Sequence, residues 1–245
     1  MKKTLIYILS ILSFACNKEF NNNCFENQGD VISEYRELDD FSKIYVRGVF
    51  DVIIEQDTTY YSIIEAPENV IPYLETTIEN NILNIYDNVK CKFSREYFRP
   101  IITIHCKNLT KIKNKEACYI KTNDTIFCDY ILISATYKLG EMDLCLKANK
   151  IDFIGSNIAF GRHKLSGICN NLYIEAHNAL KIDAQSLETF NASIFQNSIA
   201  DIKLNVINSL EASILSNGNI LLENWPDSLL IIDDSGKGEI ILMNN

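Results

Sequence analysis

The chain has 245 residues, 47% of them hydrophobic, with nine glycines and four prolines. That composition supports a folded core and excludes a collagen-like or disordered chain. A net charge of −9 argues against nucleic acid as a partner, because phosphate binding needs a basic footprint and the lysines and arginines of the body are scattered mostly singly along the sequence.

Reading from the start, Lys2 and Lys3 precede an apolar stretch, Leu5 to Phe14, and Ala15 places a small residue before Cys16. The stretch is too short to span a bilayer, which takes about 20 residues, but it suits a secretory signal. The arrangement resembles a bacterial lipoprotein signal, in which the cysteine becomes the acylated N-terminus. In such signals a leucine usually stands three residues before the cysteine; here that place is Ser13, with Leu12 one further back. The expectation is a signal peptide over 1–15, lipidation at Cys16, a flexible tether over 16–35 and a cell-envelope location. The envelope site would be the outer membrane, on its periplasmic or surface face. An ordinary cleaved signal is the alternative.

Residues 36–105 read as irregular strands. Ile44 to Gln56 forms two strands separated near Gly48, a turn follows at Asp57-Thr58-Thr59, and Tyr60 to Glu65 forms another strand. Pro67 to Leu74 has the look of a short helical turn, since proline is tolerated at a helix start. Thr76-Thr77-Ile78 and Ile82 to Tyr86 can pair as a hairpin across Asn80-Asn81, because asparagine accepts the positive φ of a tight turn.

From residue 106 to 245 the chain repeats itself in coils of roughly 20 residues. Six segments start on an apolar residue, Ile131, Ile151, Leu172, Phe190, Leu210 and Leu229, with a second two positions later: Ile133, Phe153, Ile174, Ala192, Ala212 and Ile231. A spacing of two is strand periodicity with one face buried. A further aliphatic follows in each segment: Leu144, Leu165, Ile182, Leu204, Leu222 and Leu242. Polar corners are expected at Asn157, Asn178, Gln196, Ser216 and Ser235, able to form amide or hydroxyl ladders if stacked in register. A unit this small cannot bury its apolar face alone, so stability must come from stacking on its neighbours. The predicted fold is all-β: a right-handed single-stranded β-helix, or β-solenoid, with a less regular strand-rich N-terminal part. A leucine-rich repeat lacks its skeleton here, and an up-and-down barrel would need longer alternating strands.

Seven cysteines remain beside Cys16: Cys24, Cys91, Cys106, Cys118, Cys128, Cys145 and Cys169. The odd number leaves at least one thiol unpaired within the chain, and buried inert thiols are the simplest reading. Cys128 and Cys169 fall three positions before the first apolar residue of their coils, as Ala148 does, which predicts core-filling side chains.

Three stretches carry a family resemblance: Phe41 to Gln56; Ile64-Glu65-Ala66 with Glu68 to Ile71; and Asn81 to Ile85. They resemble the head GIN domain family of putative auto-transporter adhesins, formerly a domain of unknown function, over residues 36 to 240. The resemblance implies a Bacteroidetes-type cell-envelope protein on a right-handed β-helix, often lipid-anchored, with no catalytic residue to carry over. Ser-Gly-rich corners usual in such proteins survive only at Ser216 to Asn219 and Asp234 to Gly238.

No catalytic, cofactor or metal motif stands out. His105, His163 and His177 lie far apart in sequence, and Asp233-Asp234 suits a turn better than acid–base chemistry. Aromatics at Tyr60, Tyr61, Tyr73, Tyr86, Tyr97, Phe98 and Trp225 lie in or near loops, where they could stack on sugars or partners or cap the stack ends. The basic and aromatic segment with Lys92, Phe93, Arg95, Tyr97, Phe98 and Arg99 is the leading candidate for partner contact. The function expected is a non-catalytic, adhesin-like envelope lipoprotein that binds a glycan or protein. A polysaccharide-active β-helix enzyme and a purely structural envelope protein are the alternatives.

Overall fold

The computed structural model of the protein describes residues 28–89, 98–136, 139–156 and 159–243. The expected signal peptide, Cys16 and most of the expected tether lie outside the described residues.

Alternating apolar and polar residues become strands wherever the alternation holds. The early strands are β1 (Val31–Glu37), β2 (Lys43–Arg47), β3 (Asp51–Gln56), β4 (Tyr61–Pro67), β5 (Leu74–Glu79), β6 (Ile82–Asp87) and β7 (Ile101–Cys106). A 3-10 turn, Ile71–Tyr73, sits before β5, with Pro72 in its first positions. Asn80 and Asn81 adopt φ of 52° and 64°, and the predicted β5–β6 hairpin forms across them. β1 already pairs antiparallel with β4 from Val31, so regular structure starts inside the last residues of the expected tether.

The later strands are β8 (Lys111–Asn114), β9 (Tyr119–Thr122), β10 (Ile126–Ala135), β11 (Glu141–Gly155), β12 (Phe160–Ser198), β13 (Ile202–Ile214), β14 (Ile220–Leu222), β15 (Ser228–Asp233) and β16 (Ile240–Leu242). β11, β12 and β13 are long because pairing resumes on both sides of breaks in the ladder, as at Asn149 and Asn170 and between Ala184 and Glu188. Among the described residues all pairings from β8 onward are parallel, and antiparallel pairing joins β1 to β4, β4 to β7 and β5 to β6. The architecture is a β-solenoid of about six turns.

Stacking brings like residues over one another at about 4.8 Å and fills the interior with aliphatic columns. On one face Ile64, Ile102, Val52, Ile120, Met142 and His163 are successive neighbours. Further on, Ile182, Ile202, Ile220 and Ile240 continue in the same way. The other face stacks Leu83, Ile44, Ile112, Ile133, Phe153 and Ile174. All of these except Ile240 are buried, and Ile240 packs partly buried against the core.

The fourth coil departs from the spacing read in the sequence. Ile131, Ile151 and Leu172 stack as expected, and Leu210 lies beside Leu229. Leu210, however, pairs with Ala192, and Ala212 with Ile194, so Phe190 is not in the column; it sits half-buried two residues earlier. Ladder irregularities between Ala184 and Glu188 and between Thr189 and Asn191 absorb the extra residues. The same slip removes Gln196 from the row of corners. It is buried, donating through Nε2 to Ala200 O (2.9 Å), while Ser198 takes the corner and donates to Asn178 O (3.1 Å). Ala184, not Ile182, faces Leu204. Leu229 at the final coil is 38% exposed, so the inward column opens to solvent there.

Cys128, Ala148 and Cys169 stack in register as predicted. Cys106, Cys118 and Cys169 are buried and unpaired, and burial pushes the first two thiols up to about 12.

Candidate functional site: an amide-lined groove on one face of the solenoid

Outward residues of β11, β12 and β13 build an open groove of about 540 Å³. Its walls are Lys150, Asp152, Asn171, Tyr173 and Glu211; the short side chains of Ser193 and Ser209 leave the trough, and Leu172 and Ala192 lie at its floor. Alternation dictates this. Leu172 and Ala192 are inward, so Tyr173 and Ser193 must point out.

Along the edge of the groove runs an amide ladder. Asn170 Nδ2 donates to Asn149 Oδ1 (3.1 Å), Asn171 Nδ2 to Asn149 O (3.3 Å) and Asn191 Nδ2 to Asn170 O (3.4 Å). Ser209 Oγ then donates to Asn191 Oδ1 (2.9 Å). Each rung ties one coil to the next, which fixes the groove as a rigid surface. Ladders were expected, but at the opposite end of the strands; the signal that would have placed this one is the polar residues one or two positions before each coil's first inward residue.

The rest of the groove is held by short hydrogen bonds. Asp152 accepts from Tyr130 Oη (2.9 Å) and Lys150 Nζ (3.2 Å), and Lys150 lies over the Tyr130 ring. Tyr173 Oη donates to Glu175 (3.3 Å), whose other oxygen lies 2.8 Å from His177 Nε2. Burial and then the neighbouring Glu175 carboxylate raise the Tyr173 phenol above its usual range, so it stays a neutral donor. Sugars are bound by this kind of set: planar aromatic edges, amides and carboxylates on a stiff frame.

The residues singled out in the sequence fall elsewhere. Lys92, Phe93, Arg95 and Tyr97 lie outside the described residues. Phe98 packs partly buried against the core, and the Arg99 guanidinium pairs with Asp51, so both are engaged with the body of the solenoid. Tyr60 packs edge-on against Phe41 and Tyr61 stacks on His105 at 4.0 Å, whereas Trp225 is 54% exposed. Asp233 accepts from the Ser235 amide (2.9 Å), a turn bond. His163 is wholly buried, and His177 bonds to Glu175, which in turn accepts from the groove residue Tyr173. Among the described residues no helix is long and apolar enough to cross a membrane, and no cluster of three or more ligating side chains could hold a metal ion.

Fold and site together define a β-solenoid with a stiff, polar, solvent-open face. The sequence matches the family model described as putative auto-transporter adhesin, head GIN domain, over residues 40–226, and the chain belongs to that family. No curated protein matches it. Solved structures share the fold. A putative adhesin from Bacteroides fragilis is 20% identical, with a TM-score of 0.77 over 87% of this chain and 97% of its own. A putative adhesin from Parabacteroides distasonis is 19% identical (TM-score 0.65, covering 88% and 98%). A putative lipid binding protein from the same species is 17% identical (TM-score 0.62, covering 88% and 98%).

Proposed function

We propose that the protein is a cell-envelope lipoprotein, anchored through Cys16, that acts as an adhesin-like module and binds a glycan in the groove between Lys150 and Glu211. The observation that carries the reading is the amide ladder beside Tyr173. It presents hydrogen-bonding side chains at a fixed coil spacing next to an aromatic edge, on a frame that needs no ordering upon binding. Family membership supports an adhesin-like role. The lining sets amides, carboxylates and hydroxyls beside apolar surface from Leu172, Ala192 and the Tyr173 ring, a mixture that meets both the hydroxyls and the apolar faces of sugar rings. We extend the proposal to Lys92, Phe93, Arg95 and Tyr97 as a further partner contact.

The test is a glycan array with the wild-type chain and Tyr173→Ala. Binding to a defined set of glycans that Tyr173→Ala weakens by about tenfold is expected for loss of one stacking side chain. No binding to any glycan would overturn the reading. Palmitate labelling of wild type but not of Cys16→Ala tests the anchor.

A second reading is polysaccharide cleavage, favoured by one observation: the hydrogen-bonded row that runs from the groove residue Tyr173 to Glu175 and His177 supplies a carboxylate and an imidazole. New reducing ends from polysaccharide incubated with wild type, but not with Glu175→Gln, would establish it.

A further inference from the structure

The two outward faces of the solenoid treat charge differently. On one, neighbouring coils alternate in sign: Lys121 lies beside Asp143, Asp143 beside Lys164, and Asp183 beside Lys203. On the face that carries the groove, Lys43 lies directly beside Lys111, and Tyr45 beside Lys113. Like charges directly opposite on adjacent strands destabilise a sheet. The ammonium groups of Lys111, Lys113 and Lys115 lie 5.5, 5.7 and 4.8 Å from the centroid of the single Tyr45 ring. Arg47 at the margin is paired with Glu116 (3.1 Å), but among the described residues no carboxylate lies within 4 Å of Lys43, Lys111, Lys113 or Lys115. Burial and the neighbouring Lys113 both disfavour the charged form of Lys115.

This cluster belongs to the groove's own face. Lys111 neighbours Leu132, which neighbours Asp152 in the groove wall, two strand spacings or about 10 Å away. A chain molecule lying along the stack would cross from one to the other. A protein of net charge −9 is repelled as a whole from an anionic plane, whereas a narrow polyanion feels mainly the charges within a screening length of about 8 Å. Geometry and charge therefore favour a linear chain over a membrane surface.

We infer that the stacked lysines around Tyr45 form an anion-binding extension of the groove, and that the ligand is an acidic polysaccharide whose carboxylates or sulfates neutralise them. The inference rests on the glycan reading above and narrows it to one chemical class. Lys111 and Lys113 project from alternate positions of β8, about 7 Å apart, a spacing that successive acidic sugars can meet.

The experiment measures binding of polygalacturonate, of neutral dextran and of phosphatidylglycerol vesicles to the wild-type chain. The same probes are applied to Lys111→Gln/Lys113→Gln/Lys115→Gln and to Tyr173→Ala, with circular dichroism confirming each fold. Expected is tighter binding of polygalacturonate than of dextran, weakened about tenfold or more between 50 and 500 mM salt and by a similar factor in the triple variant. Tyr173→Ala should lower affinity while leaving the salt dependence in place. If dextran binds as well as polygalacturonate and the triple variant is unaffected, the inference fails while the groove reading stands. If polygalacturonate binding survives Tyr173→Ala unchanged, the lysine site stands and the groove reading fails. Vesicle binding without polygalacturonate binding would overturn the inference.

Discussion

His163 offers a sharp test of the packed interior. It occupies the position beside Met142 in an otherwise aliphatic column, fully buried, its ring 5.1 Å from that of Phe153, and neither ring nitrogen has a hydrogen-bond partner. Burial alone lowers its pKa from 6.5 to about 3, so the folded protein holds the imidazole neutral. The unfolded chain protonates near 6.5 and so binds more protons than the folded one between these values. Stability is therefore complete above about pH 7 and declines as pH falls towards 3. Linkage puts the loss from this one group at about 2 kcal/mol between pH 7 and pH 5. His163→Ile restores the aliphatic column and removes the titrating group. Urea unfolding of both proteins at pH 7 and pH 5 is the assay, with other groups cancelling in the comparison. The gap in favour of His163→Ile should widen by about 2 kcal/mol at the lower pH. A gap that is the same at both values would refute the reasoning.

Other expectations follow from single contacts. Gly167 has φ of +108° and a methyl there would run into the Leu146 carbonyl oxygen, so Gly167→Ala should cost about 2 kcal/mol or more in urea unfolding. Phe153→Ala empties a wholly buried site in the second column and should cost about 3–5 kcal/mol by the same measurement. Cys106 and Cys118, pushed up to about 12 by burial, should resist iodoacetamide at pH 8 in the native protein and react once it is denatured, as read by peptide mass mapping.

The sequence showed the coil because a two-residue alternation and a near-constant spacing survive wherever the ladder is regular. Ile131, Ile151 and Leu172 stack for that reason. It misplaced Phe190 because Ala184 and Leu204 are 20 residues apart while Glu188 and Asn205 are 17 apart, and a bulge leaves no mark on the apolar pattern. The basic cluster escaped notice for a different reason. Lys111, Lys113 and Lys115 share a face by alternation alone, but Lys43 and Tyr45 join them only through the β2–β8 register, some 68 residues away in sequence. The groove was hidden for the same reason, since its walls come from three strands and several coils.

Chemical-shift mapping with a galacturonate oligomer would examine the proposed binding face as a whole. Titrated into the ¹⁵N-labelled chain, the oligomer should move amides around Asn170, Tyr173 and Ser193 together with those of Lys111 to Lys115. Shifts confined to the opposite face around Asp143 and Lys164, or no shifts at all, would contradict that account.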